Sequence, residues 1–162
     1  MSEARAAAER WMPLPADLIY RCLADYEAHH PRFLPPAFRD YAVAAGGFGA
    51  GTNIRFRTVM VGQSRLFRGV VAEPAPGRIL EERYPDLDSV TTFTVTPDGP
   101  GCRVRIETSL AVPSGPRGWL EARLGPPLLR RLFADELRRL ETYAASLVAA
   151  GLPVTSVPRR AG

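Results

Sequence analysis

The sequence predicts an α+β domain in which one antiparallel sheet of about seven strands faces a long C-terminal helix. Three observations carry that prediction. Between residues 38 and 110 apolar and polar side chains alternate with period two, the signature of strands with one wet face. The connections between those strands are too short to hold a crossover helix, so the strands meander. From Gly118 onward Leu120, Leu124, Leu128, Leu129, Leu132, Phe133, Leu137, Leu140, Ala144, Leu147 and Val148 recur at helical spacing among arginines and glutamates.

The elements follow in order. Residues 4–11 read as a strand, although their alanines suit a helix equally well by propensity. Pro13, Pro15 and Asp17 then supply helix-start chemistry for residues 15–24, where Leu14, Leu18, Ile19, Cys22 and Leu23 form one inward stripe. A second short helix is expected over residues 26–32, closed by the prolines around His30. Strands follow at 38–43, 52–61, 63–73, 78–84, 90–96 and 102–110, separated by turn signals at Gly62, Pro74 to Gly77, Pro85 to Asp88 and Asp98-Gly99. Gly125-Pro126-Pro127 is expected to kink or divide the last helix, leaving a main segment of about 23 residues, roughly 35 Å long. Gly151 stops it. Residues 1–151 thus form a single domain, and residues 152–162 are expected to be a flexible tail.

Composition excludes several classes. The chain has 162 residues, 46% of them hydrophobic and 23% charged, which suits one globular domain and not a disordered or fibrous chain. It has no run of about 18 apolar residues to span a bilayer, and SEARAAAER is too polar for a signal peptide, so the expected compartment is the cytoplasm. Cys22 and Cys102 form no close-spaced cluster and read as buried small hydrophobes; no metal site is expected. All 21 basic residues are arginine, giving a net charge of +4, yet they alternate with acids along the chain instead of gathering with aromatics on one face. A nucleic-acid partner is therefore not expected, nor an integral membrane contact.

The segments LPADLIYRCLADY, GGFGAGTNIRF, VVAEPAPGRILEE, TTFTVTPDGPGCRVRIE and LLRRLFADELRRLETYAASL, in that order, give the chain its resemblance to the START/SRPBCC superfamily. This is the helix-grip fold of the birch-pollen allergen, of polyketide cyclase/dehydrase-like proteins and of lipid-transfer proteins. The resemblance covers about residues 4–151. It implies a curved sheet wrapped around the terminal helix with an apolar cavity between them, the default binding site. The lining expected from it is Ile54, Phe56, Met60, Phe93, Val95, Val104 and Ile106 from the sheet, with Leu129, Phe133, Leu137 and Leu140 from the helix. It also implies that the loop at residues 46–51 borders the mouth of the cavity, where it would act as a gate.

Candidate chemistry is sparse. The glycines at 46–51 precede a strand, not a helix, so they read as a turn and not as a phosphate cradle. His29 and His30 are adjacent and point about 100° apart on a helix, too far to share a metal. They read as an exposed pair, or else as one residue lining the entrance as an acid or base. Residues 62–66 lack the final glycine of a nucleophile elbow. In residues 78–84, periodicity leaves open whether Ile79, Glu81 and Arg83 or Leu80, Glu82 and Tyr84 face inward; the second set is preferred because it buries an aromatic and a leucine. Buried carboxylates hold protons more tightly, which makes Glu82 the candidate acid or base, with Arg68 as its partner if that side chain also points inward. Tyr26, Tyr41 and Thr58 are further hydrogen-bond donors.

Two readings follow. One is a carrier or sensor that shelters a hydrophobic, lipid- or polyketide-like molecule, acting without a cofactor as monomer or homodimer. The alternative is a cyclase or dehydratase resembling the polyketide enzymes, with Glu82, Arg68 or a tyrosine moving protons. A partner-binding protein that docks through its helix would instead show an exposed apolar helix face and no internal void.

Overall fold

The computed structural model describes residues 2–60, 63–112 and 114–151. Its elements are β1 (Ser2–Met12), α1 (Ala16–Ala24), β2 (Phe38–Ala45), β3 (Asn53–Met60), β4 (Gln63–Ala75), β5 (Ile79–Tyr84), β6 (Ser89–Asp98), β7 (Gly101–Val112) and α2 (Pro116–Ala149). The strands form one antiparallel sheet in the order β1-β7-β6-β5-β4-β3-β2. β2 through β7 are a pure meander, as short connections require, and β1 pairs with β7 along its whole length. The alanine-rich N-terminal segment is a strand because this edge is available to it, a tertiary contact that outweighs local propensity.

α1 opens at Pro15 with Asp17 in its first turn and buries Leu18, Ile19, Cys22 and Leu23. The second short helix is reduced to three residues of 3-10 turn, His30–Arg32. Asp25 organises this stretch instead: its side-chain Oδ1 accepts from the backbone of Ala28 at 2.8 Å, and its carbonyl accepts from the His30 amide at 2.7 Å. That Asx-type turn satisfies the backbone locally, and Pro31 has no amide with which to extend it.

α2 is not divided. It runs as one helix of 34 residues straight through Pro126 and Pro127, about 50 Å at 1.5 Å per residue. The two prolines remove the hydrogen bonds otherwise donated to Ala122 and Arg123, yet the helix continues, and Leu120 and Leu124 before them line the same cavity as Leu128 and Leu129 after them. α2 lies across β1 and reaches β7 and α1. An ion pair from Arg10 on β1 to Glu141 joins helix and edge strand.

The loop at residues 46–51 is pinned from several sides. Gly49 donates to the Ala24 carbonyl at 2.9 Å, Gly47 accepts from the Tyr26 amide at 2.8 Å, and Ala50 donates to Glu73 at 2.9 Å. At Gly49, where φ is 61°, an added Cβ would lie 2.3 Å from the Glu73 carboxylate, so a side chain there would be strained and would push Glu73 off its contacts. None of its residues borders the cavity described below. The expected gate is therefore a clamp that ties α1 to β4. The expected tail, residues 152–162, lies outside the described residues.

Candidate functional site

An internal cavity of about 590 Å³ lies between the sheet and α2. Its position follows from where the helices reach. α1 packs against β6, β7 and α2 and fills one end of the concave face. The other end, under β2 to β5 and the distal parts of β6 and β7, is covered by α2 and by His30 and Leu34 from the segment after α1, and the side chains there leave a gap.

Three zones can be distinguished along the cavity. The middle is apolar, with Phe38, Ile54, Phe56, Phe67, Leu128, Leu129, Leu132 and Phe133 on its walls. Phe56 anchors an aromatic group there, stacked on Phe67 with centroids 5.1 Å apart and edge-on to Tyr84 and Phe38. The mouth is flanked by Leu34, Ser64, Arg65, Leu120, Glu121 and Leu124. Leu120 and Leu124 are exposed large apolar side chains.

The inner end is polar and almost sealed. Leu80, Glu82 and Tyr84 of β5 point inward and Arg83 outward. Glu82 is 5% exposed, and its two oxygens accept from Tyr26 Oη at 2.9 Å and from Tyr84 Oη at 2.5 Å. Burial, and next the charge of Glu82, drive both phenols well above their ordinary pKa, so they stay protonated and keep donating. His30 stacks on Tyr26 at 4.6 Å and brings Nε2 to 3.8 Å from Glu82. Its Nδ1 lies 2.7 Å from the Leu23 carbonyl, which can only accept. The neutral ring therefore carries its proton on Nδ1 and turns an Nε2 lone pair toward the carboxylate. Burial holds the His30 pKa below its usual value against the opposing pull of Glu82. Beside Glu82, its register partner Thr91 shares a hydrogen bond of 2.6 Å with Thr108.

The facing helix supplies a second carboxylate. Glu136 is 3% exposed and lines the cavity, and among the described residues it has neither a hydrogen-bond nor an ion-pair partner. Burial first, then the charge of Glu82, pushes its carboxyl up to about 8.

A family model described as polyketide cyclase / dehydrase and lipid transport matches residues 3–145. The chain belongs to that family. Among solved structures, an aromatase/cyclase, Zhui, from Streptomyces sp. R1128 is similar with a TM-score of 0.74 at 15% identity, covering 93% of this chain and 99% of that one. A protein from Thermus thermophilus reaches 0.73 at 24% identity, over 88% of this chain and 97% of its own. A START superfamily protein from Mycobacterium smegmatis reaches 0.66 at 19% identity, over 88% and 98%. These likenesses establish the fold. No curated protein matches the sequence.

In this member of the polyketide cyclase / dehydrase and lipid transport family, the sequence-predicted residues divide into four groups. Tyr41, Ile54, Phe56, Thr58, Glu82, Tyr84, Phe93, Leu129 and Phe133 are on the cavity wall. Val95, Val104, Ile106, Leu137 and Leu140 do point inward, but they pack solidly and do not reach the cavity. They sit at the filled end of the sheet. Tyr26 is also off the wall, buried behind Glu82, which it holds. The Met60 side chain lies outside the described residues.

Arg68 is a correction. Its side chain is 68% exposed and its nearest acid is Asp86 at 3.7 Å. It sits on the outer face of β4, while Phe67, of opposite phase, lines the cavity, so the expected Arg–Glu pair does not form. The histidines are corrected too. His30 is buried at the inner end and not at the entrance, and His29 is half-buried with Nδ1 2.8 Å from Tyr143 Oη. Sequence reasoning also missed Ser89, Thr91, Thr108, Leu110 and Glu136, all on the wall. A signal for Glu136 existed: it falls on the stripe of Phe133, Leu137 and Leu140, where a carboxylate has no business unless something polar faces it. Both cysteines are free and buried, and burial raises Cys22 to about 12 and Cys102 to about 11, which leaves both as thiols.

Proposed function

We propose that this protein binds a hydrophobic small molecule, lipid- or polyketide-like, in the cavity and acts as its carrier or sensor. The observation that carries this reading is a void of about 590 Å³ walled by apolar and aromatic side chains, within the size range of small-molecule sites. Burial of an apolar ligand against these walls contributes about 25 cal/mol per Å² of apolar surface. Native mass spectrometry of freshly purified protein tests the reading. A retained small molecule, released on denaturation, is expected; a chain that stays at its bare mass even after incubation with apolar probes contradicts it.

The second reading is a cyclase- or dehydratase-like enzyme. It is favoured by the cluster of Glu82, Tyr84, His30 and Glu136 at the inner end, where buried carboxyl groups and an imidazole lone pair share one space, and by the likeness to a Streptomyces aromatase/cyclase. Arg68 takes no part in it. Glu82→Gln with unchanged turnover of a poly-carbonyl substrate would remove Glu82 as the catalytic group.

A further inference from the structure

Apart from a proton held by Glu136, the inner end of the cavity offers few hydrogen-bond donors. Tyr26 and Tyr84 spend their hydroxyl protons on Glu82, and Tyr41 donates to the Tyr26 carbonyl at 2.9 Å. What faces the empty space is the remaining lone pairs of Glu82, the Nε2 lone pair of His30, the unpartnered carboxyl of Glu136, and the Thr91 and Thr108 hydroxyls, which can turn either way. Arg65 is the sole arginine on the cavity wall among the described residues. It stands six residues along β4 from Val71, the register partner of Glu82, roughly 20 Å away at about 3.3 Å per residue. Two buried carboxyl groups thus face the same space without a protein cation between them, so one of them holds a proton until a cation from elsewhere replaces it. Aromatic rings of Tyr84 and Phe93 border the same space, and their faces attract cations.

We propose that the inner end of the cavity, between Glu82 and Glu136, receives a protonated amine carried by an otherwise apolar ligand. The inference rests on the binding function stated above and narrows its ligand class. The apolar body lies along Phe56, Leu129 and Phe133, and the ammonium group donates to the two carboxylates and to His30 Nε2. Because Glu136 holds a proton at neutral pH, the arriving ammonium displaces it. The groups that bear on this titration are Glu82 and Tyr84 from β5, Tyr41 from β2, Tyr26 and His30 from the segment after α1, and Asp135 on the same helix, itself paired with Arg138 and Arg139.

The test is competition of decylamine, 1-decanol and decanoate against the neutral fluorophore N-phenyl-1-naphthylamine, with calorimetry in buffers of different ionisation enthalpy. Decylamine is expected to bind at least tenfold more tightly than 1-decanol, with decanoate weakest, and to release about one proton at pH 7. Glu136→Gln, checked for an unchanged circular dichroism spectrum, is expected to lose both the preference and the proton release. If 1-decanol binds as tightly as the amine, or if Glu136→Gln keeps the preference, the amine assignment is overturned and the apolar cavity stands. If the fluorophore and all three decyl probes fail to bind, the binding function itself is overturned.

Discussion

The two ends of the concave face carry the same alternating pattern and have opposite interiors. At one end Val95, Val104 and Ile106 are fully covered, with Leu137 and Leu140 of the helix covered as completely. At the other end Thr91, Thr108, Tyr84, Phe56 and Phe67 look into empty space. The difference is the presence of α1 over β6 and β7 and its absence beyond them. Alternation along a strand therefore says which side chains turn inward, and the neighbouring element decides whether they meet a partner or a void.

The largest expected effect sharpens that contrast. Leu140→Ala, at the filled end, is expected to lower stability by about 2–5 kcal/mol in urea unfolding, since it opens a new cavity in close-packed surroundings. Leu129→Ala, which already borders the void, is expected to lose less than about half as much. Equal losses would mean that the two ends are packed alike.

The second effect concerns Glu136. Its carboxyl titrates at about 8 in the folded chain against an ordinary 4.5, so the folded state holds a proton that the unfolded chain has released. Folding stability is then undiminished below about 4.5, falls as pH rises toward 8, and is level above it, with a total on the order of 5 kcal/mol. Glu136→Gln is expected to remove this decline, as seen by comparing urea midpoints of the two proteins at pH 5 and pH 9. Parallel pH profiles would place the carboxyl in contact with water.

Smaller still, Tyr26→Phe removes one of the two hydroxyls that hold Glu82 and is expected to cost about 1.5–3 kcal/mol, the range for hydrogen bonds to charged groups. Arg68→Ala should change stability by less than about 0.5 kcal/mol, as for an exposed ion pair, and leave probe binding unaltered. An effect of Arg68→Ala on binding would restore it to the site.

Most of the fold was legible because it rests on local rules. Period two marked the sheet strands, short turns forced antiparallel order, and the leucine stripe marked α2. The undivided course of α2 through Pro126 and Pro127 was not legible, since it depends on the surface that the helix covers. The face of β5 came out as preferred, through Tyr84 and Leu80, while β4 shows the limit: Arg68 and Phe67 are adjacent, and only the register against β3 and β5 decides which turns inward. The position of His30 was hidden because it depends on the turn that Asp25 builds. Glu136 stood in plain view as a carboxylate on an apolar stripe, but its meaning needed Glu82 across the cavity.

The most direct test of the central claim is fluorescence titration with N-phenyl-1-naphthylamine of the native protein and of Thr58→Trp, whose indole would occupy the cavity. A blue-shifted, saturable signal with one probe per chain is expected for the native protein, weakened at least tenfold in the variant. No blue shift, or the same titration curve for both proteins, would mean that apolar molecules do not enter between the sheet and the helix.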